Sequence, residues 1–161
     1  WIFECSKIWV FLSLNKFSIK IDDNIIKDVC EIDINLLFPH EHVIADKKEI
    51  LKNNLKYKDD SVIISSIIIC NESKMIIDGH HRYFALKELG IEKIPVTMIN
   101  YFSDKIITDK TDSLMKHDII ENALNGKLYD PKSTKHLIYC EKRASWFPIT
   151  LISALFELKL N

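Results

Sequence analysis

The order of apolar and polar positions predicts short strands that alternate with helices. Apolar and acidic residues alternate over residues 30–34, as in a strand with one buried face. Residues 62–70 are apolar and mostly β-branched, which predicts one buried strand. Residues 71–74 predict a hairpin loop before a returning strand at 75–77, and residues 94–99 predict a further strand. The strand pattern therefore indicates a sheet built from short segments.

The first predicted helix follows the first strand. Asp46 and Glu49 have the spacing of a capping box, in which each side chain bonds the other residue's backbone N–H. We expect Asp46 to be the N-cap of a helix that runs to about residue 56. The apolar spacing predicts that this helix buries Ile50, Leu51 and Leu55.

Three further helices are predicted downstream. Residues 80–89 have a helical pattern, and Gly90 stands where a helix end favours a left-handed residue. Residues 116–124 predict another helix, which ends at residues 125–126. In the apolar stretch 147–160, the spacing of Leu151, Leu155 and Leu158 predicts a helix that docks on the domain.

The interleaving of strands and helices predicts a small α+β domain with a mixed sheet. We assign it to residues 28–161 and treat residues 1–27 as an N-terminal extension of unknown role. Residues 1–14 are apolar, but Glu4 and Lys7 interrupt them and the unbroken run is far too short to span a bilayer. We expect a further strand or helix there, with the remnant of an upstream segment as the alternative.

Charge and composition exclude several classes of protein. The 161 residues include 22 Lys and Arg against 23 Asp and Glu, so no overall positive field attracts nucleic acid. A hydrophobic share of 47% argues against disorder. The four cysteines are far apart and form no C-x-x-C pair, which favours reduced thiols over a zinc site or disulfides. We therefore expect a cytoplasmic domain without nucleic-acid or membrane partners.

The strongest candidate for chemistry is the segment at residues 78–82, where a predicted strand meets a predicted helix. The first N–H groups of a helix lack intrahelical partners and favour anions. Gly79 lets a ligand approach the backbone, and Arg82, one of two arginines, can fork onto phosphate oxygens. His80 and His81 can donate hydrogen bonds, and Asp78 can hold Mg²⁺. The alternative is that Asp78 only caps the helix and both histidines are solvated.

Two loops supply further candidates. Glu41 follows Pro39 and His40, and a carboxylate on a fixed loop can act as a general base. Residues 132–136 combine hydroxyl groups and cations, a composition that suits a bound carboxylate or phosphate. For both loops the alternative is a solvated surface.

These segments, in this order, resemble the ParB/sulfiredoxin superfamily, and within it the free L-serine kinases, which include archaeal enzymes and a staphylococcal siderophore-precursor kinase. The resemblance rests on PHE at 39–41, DGHHRYFAL at 78–86 and IPV at 94–96. Residues 125–136 add a second motif, similar to that group's G-K-L-[FY]-x-P-K-[ST]-T-[KR]-H. The resemblance covers roughly residues 31–151.

The resemblance implies a ParB/sulfiredoxin-like fold and a kinase that uses ADP or ATP with Mg²⁺ to convert free serine into O-phosphoserine, a reaction of serine metabolism and cysteine biosynthesis. Glu41 is similar to the catalytic base, and Asp78 to the acid of the phosphate and metal loop. Three further positions are similar to the segment that shapes the amino-acid pocket: Thr134, Lys135 and His136. Four positions are similar to those that cradle the nucleotide phosphates: Gly79, His80, His81 and Arg82.

The chain differs from two other groups of this superfamily, the sulfiredoxins and the chromosome-partition ParB proteins. A sulfiredoxin carries a cysteine in the phosphate loop, where this chain has His80 and His81. A chromosome-partition ParB has a G-E-R-R box and a helix-turn-helix domain, and neither is clear here. The alternative function is a non-catalytic regulator that binds a nucleotide in a ParB-like fold.

Overall fold

The computed structural model describes residues 19–56, 61–108 and 114–159. The predicted element at residues 1–14 lies outside this part. The nine strands of the described residues are β1 (Ile26–Asp33), β2 (Ser61–Ser65), β3 (Ile67–Cys70), β4 (Ile76–Asp78), β5 (Lys93–Ile99), β6 (Ile106–Thr108), β7 (His136–Cys140), β8 (Ser145–Pro148) and β9 (Leu155–Lys159). Their three α-helices are α1 (Ala45–Lys56), α2 (His80–Glu88) and α3 (Lys116–Leu124).

The strands form three small sheets. The largest, which we call the central sheet, has the order β1-β5-β3-β4. Its strands β5 and β3 are parallel, and the two outer pairs are antiparallel. Strands β6, β7 and β8 form an antiparallel sheet, and β2 pairs antiparallel with β9. Mixed pairing with three helices confirms the predicted α+β class.

The buried residues divide into two clusters because successive side chains of a strand point to opposite faces. In β3, Ile68 and Cys70 join one cluster, and Ile67 and Ile69 join the other. The first cluster takes its α-helical residues from α3, and the second takes them from α1 and α2. Strand β4 lies at one edge of the central sheet and leads directly into α2, so residues 78–82 lie at this edge.

Several predicted elements are confirmed. Helix α3 has the predicted bounds, α2 ends one residue early at Glu88, and Gly90 has a φ of 74°. The hairpin between β3 and β4 and the strand at 94–99 are also present. Local signals suffice for these elements because each is bounded by a turn or a glycine of its own. The division at residue 27 stays a prediction, although Ile25 belongs to the first buried cluster.

The prediction of one strand over residues 62–70 is wrong. The run breaks at Ser66, which separates β2 from β3. Ser66 N–H donates to the Ala154 carbonyl at 2.7 Å, and its hydroxyl accepts from Ala154 N–H at 2.9 Å and bonds the Thr97 hydroxyl at 2.7 Å. The residues before this serine pair with β9, and the residues after it join the central sheet.

The predicted C-terminal docking helix is also wrong. Residues 145–159 form β8, a short 3₁₀ turn at Ile149–Ile152 and then β9. Leu151 and Leu155 are 54% and 59% exposed, while Leu158 is buried. Pairing with β2 imposes a two-residue period on β9, and this period overrides the helical spacing of the leucines.

The first helix differs in detail from its prediction. It begins at Ala45, so Asp46 lies in the first turn and is not the N-cap. Leu55 is buried, but Ile50 is 62% exposed. Leu51 and Leu55 share a face because they are four residues apart, whereas Ile50 lies about 100° around the helix from Leu51. Among the described helices, none is long and apolar enough to cross a membrane.

Candidate active site

The residues to which the resemblance gives a role all line one pocket of about 450 Å³, although they come from three distant segments. The loop after β1, the β4–α2 corner and the segment that leads into β7 line it together. A further wall is formed by the end of β8 and the start of the 3₁₀ turn, with Pro148, Ile149 and Thr150. The predicted residues in its lining are Glu41, Asp78, Gly79, His80, His81, Arg82, Thr134, Lys135 and His136.

The β4–α2 corner depends on Gly79. Its φ is +106°, a conformation that L side chains rarely adopt, and a Cβ atom there would lie 2.9 Å from Arg82 Nη2. Gly79 is itself the N-cap of α2, and no side chain of the described residues bonds this helix start. Asp78 therefore does not cap the helix, contrary to the alternative interpretation. The uncapped N–H groups of the first turn suit an anion.

Asp78 and Arg82 form an ion pair at this corner, with 3.3 Å between Oδ2 and Nη2. Arg82 Nη2 also lies 3.3 Å from the Ser66 carbonyl, and Nη1 donates to the Ser65 hydroxyl. The buried Nε–H has no partner within the described residues. Arg82 thus links the β4–α2 corner to the break between β2 and β3. Because of these bonds, only part of its guanidinium is available for a ligand.

Glu41 is buried rather than solvated, with 8% of the residue exposed. Its segment is held by a β-bridge to Tyr129. Oε2 accepts Lys132 N–H at 3.1 Å, and Oε1 accepts both Thr134 N–H at 2.7 Å and the Thr134 hydroxyl. Each carboxylate oxygen accepts about two hydrogen bonds, so the remaining acceptor position is on Oε2.

The paired histidines of the corner accept hydrogen bonds from the Glu41 loop. His80 Nε2 accepts His40 N–H at 3.2 Å, and His81 Nε2 accepts Ile44 N–H at 3.1 Å. A ring nitrogen that accepts carries no proton, so in each neutral ring Nδ1 is the donor. Burial lowers the pKa of both, helped at His81 by the Lys47 and Lys132 ammonium groups. Both histidines are therefore neutral, and they tie the loop to the helix start.

His136 is a buried residue of the pocket lining. Its Nε2 lies 2.8 Å from the Tyr101 hydroxyl, and its buried Nδ1 has no partner among the described residues. Burial, with contributions from His40 and Lys116, lowers the pKa of His136 to about 3. The neutral ring therefore has one buried nitrogen without a hydrogen-bond partner among the described residues.

Lys47 is a cation near the pocket residues Lys132 and His81 that the sequence did not single out. It lies in the first turn of α1, and the neighbouring Lys132 ammonium lowers the pKa of Lys47. The same two lysines act on His81. Two cations this close to the pocket residue His81 suit an anionic ligand. In the sequence, Lys47 is only a lysine near the start of a predicted helix, and such lysines are too common to single out.

The carboxylates of this pocket fit a magnesium ion only as part of a nucleotide complex. Within the described ranges, no group of three His, Cys, Asp or Glu side chains forms a metal site. Asp78 supplies one carboxylate beside the helix start. Mg²⁺ commonly takes one or two protein carboxylates and completes its shell with water and substrate phosphates. The arrangement suits a metal that arrives with its phosphates.

The fold is that of the free serine kinases. A mutant free serine kinase solved in complex with ADP superposes with a TM-score of 0.65 at 14% identity, over 91% of this chain and 97% of that one. No family model matches the chain.

The chain also resembles curated proteins in sequence, among them a kinase and a ParB-like protein. The chain is 34% identical over 77 residues to an ATP-dependent L-serine kinase of Staphylothermus marinus, which covers 47% of this chain and 31% of that protein. It is 31% identical over 115 residues to a ParB-like protein of Sulfolobus acidocaldarius, which covers 65% of this chain and 55% of that protein. The chain thus spans about a third to a half of these relatives, and the resemblance to L-serine kinases is confirmed.

Proposed function

We propose that this protein transfers a phosphoryl group from ADP or ATP to the hydroxyl of free L-serine and forms O-phospho-L-serine. The observation that carries the proposal is the shared pocket, which places a buried carboxylate and an uncapped helix start in one cavity. Phosphoryl transfer needs positioned phosphates, charge neutralisation and a base at the acceptor. The resemblance to L-serine kinases supports the choice of substrate.

The nucleotide end of the pocket is the β4–α2 corner. The N–H groups that follow Gly79 and the Nδ1–H of His81 face the donor phosphates, and Lys132 adds positive charge at the rim. Asp78 would hold Mg²⁺ through its carboxylate, and the ion, when bound, would neutralise phosphate charge. Arg82 keeps Asp78 in place and adds charge beneath the phosphates. His80 holds the Glu41 loop, because its Nε2 accepts the His40 N–H.

The acceptor end is the Glu41 carboxylate. The serine hydroxyl approaches the remaining acceptor position on Oε2. Its oxygen forms a bond to the transferred phosphorus while the bond from phosphorus to the nucleotide oxygen breaks, and that oxygen keeps the electron pair. The hydroxyl proton passes to Glu41. The charge on the nucleotide is spread over its phosphates and the neighbouring cations.

The amino-acid end is the segment before β7. Lys135 supplies a positive charge for the serine carboxylate, and the unpartnered Nδ1 of His136 supplies a buried hydrogen-bonding group. Thr134 contacts the base. A carboxylate recognised here leaves the hydroxyl of a short side chain near Glu41, which favours serine over longer hydroxy amino acids. The cytoplasmic location stays a prediction from the cysteine pattern.

The decisive experiment is detection of the product. We expect purified protein with L-serine, Mg²⁺ and either ADP or ATP to form O-phosphoserine, observed by ³¹P NMR or mass spectrometry. Threonine and homoserine in parallel reactions measure the selectivity. Nucleotide binding without product from any of these acceptors would contradict the kinase proposal and would favour the nucleotide-binding regulator.

A further inference from the structure

His40 is a buried histidine to which the proposed reaction gives no role. Its residue exposure is 0%, and it lies next to Glu41 in sequence. Its Nδ1 lies 2.6 Å from the Ile76 carbonyl, and its Nε2 lies 2.6 Å from the Thr134 hydroxyl oxygen. The same hydroxyl contacts Glu41 Oε1. His40, Thr134 and Glu41 therefore form one chain of side chains, whose Glu41 end is the proposed base.

The protons in this chain can be counted. A carbonyl only accepts, so Nδ1 of His40 carries the ring proton and Nε2 of the neutral ring is an acceptor. Glu41 Oε1 is also an acceptor when the carboxylate is ionised. The Thr134 hydroxyl has a single proton and two acceptors in reach, so it can serve only one of them at a time.

The groups around His40 keep its ring neutral. His80, His136 and Tyr129 pack against it at ring-centroid distances of 4.5, 5.6 and 6.4 Å. The carboxylate that faces it is Glu41, 3.9 Å from Nε2 to Oε1. Burial lowers the pKa of His40, and Glu41 and the Ile76 carbonyl only partly oppose this effect. At neutral pH the ring therefore offers Nε2 as an alternative acceptor.

We propose that Thr134 and His40 are positioning residues whose shared hydroxyl proton follows the protonation state of Glu41. This inference rests on the proposed function. Before transfer, the Thr134 hydroxyl donates to the Glu41 carboxylate and helps to keep it ionised. When Glu41 takes the serine proton on Oε2, Oε1 becomes a weaker acceptor and the hydroxyl turns to His40 Nε2. Only the serine proton changes its heavy atom, and no buried group is left without a partner in the product state.

The kinetic test compares Thr134→Val with Thr134→Ser. Valine keeps the branched shape and the backbone N–H that bonds Glu41, whereas serine also keeps the hydroxyl. We expect Thr134→Val to lower kcat roughly 10- to 100-fold, as for the loss of one charge-assisted hydrogen bond in the reaction. The KM for nucleotide should be unchanged, and the acidic limb of kcat/KM should move to higher pH because the ionised carboxylate has lost a donor.

Thr134→Ser should retain kcat and the wild-type pH profile. If Thr134 only shaped the amino-acid pocket, Thr134→Val would raise the KM for serine while kcat and the acidic limb stayed the same. That result would overturn the inference.

A second measurement does not depend on activity. In ¹⁵N-labelled protein, the Nε2 resonance of His40 reports whether a donor bonds it. Glu41→Gln mimics the protonated base, so we expect it to move this resonance, and we expect the added Thr134→Val change to abolish the movement. The exposed His117 on α3 is the reference signal.

The same movement with and without the Thr134 hydroxyl would overturn the switch. An inactive wild type in which the resonance behaves as expected would instead contradict only the kinase proposal.

Discussion

At the scale of single residues, the site depends on polar groups held by partners far away in sequence. The Glu41 carboxylate accepts backbone N–H groups from residues 91 and 93 positions downstream. A buried carboxylate without such donors would pay a large desolvation cost. With them, its orientation is set before any substrate arrives. Preorganisation of this kind is what positions a general base for proton transfer.

Glu41→Gln is the residue-scale prediction. The amide cannot take the serine proton, so we expect kcat to fall by about 10²- to 10⁴-fold, the usual contribution of a general base. The nucleotide Kd, measured by isothermal titration calorimetry, should stay close to the wild-type value because the phosphates bind at the β4–α2 corner. Glu49→Gln on the exposed side of α1 is the control and should change neither quantity. An equal loss of nucleotide affinity would remove Glu41 from the role of base.

At the scale of elements, the turn from β4 into α2 is the part that aligns the helix start with the pocket. Gly79 provides the left-handed turn, and the Asp78–Arg82 ion pair spans the first turn of the helix. Arg82 also bonds Ser65 and Ser66, so the corner and the break between β2 and β3 support each other. A disturbance of either element should therefore reach the phosphate end of the site.

Gly79→Ala tests the corner. The new methyl group would meet Arg82 Nη2 at 2.9 Å in a conformation that alanine disfavours, so we expect a loss of about 2–3 kcal/mol in the free energy of unfolding. Gly126→Ala is the matched control, since φ is +69° and nothing lies within 4 Å, and it should cost only about 1 kcal/mol. Urea unfolding measures both, and nucleotide affinity should weaken only for Gly79→Ala. Equal losses of stability would show that the contact with Arg82 is unimportant.

At the scale of the whole molecule, neutral histidines from the Glu41 loop, α2 and β7 pack against one another. His40, His80 and His136 are buried together, and burial is the first cause of the lowered pKa of each. In the unfolded chain a histidine takes up a proton near pH 6.5, which the folded protein refuses until a lower pH. The unfolded state therefore binds more protons below pH 6.5, and stability is lost as the pH falls.

The free energy of unfolding should consequently decrease between about pH 6.5 and pH 4. For His136, whose pKa is lowered to about 3, the loss approaches about 1.4 kcal/mol per pH unit within this window, and His40 and His80 add to it. Chemical denaturation at a series of pH values measures the slope. His136→Gln should reduce the slope, and His117→Gln should leave it unchanged. A flat profile from pH 7 to pH 4 would contradict the neutral cluster.

The features that could be predicted from the sequence are those that short-range chemistry controls. The glycine at the β4–α2 corner, the bounds of α3 and the α2 helix follow from turn residues and helix-end signals within a few positions. The same local patterns, with the resemblance they carry, selected the segments that line the pocket.

The features that depend on distant partners could not be predicted in this way. Ser66 ends a strand because Ala154 and Thr97 lie beside it, and the C-terminal leucines lie in a strand because β2 is available for pairing. Glu41 is buried because residues 132–134 fold over it, and His40 matters because Thr134 reaches it. The physical reason is the same in each case. Burial and hydrogen bonding are satisfied by whichever groups the fold brings together, and local periodicity carries no information about which groups those are.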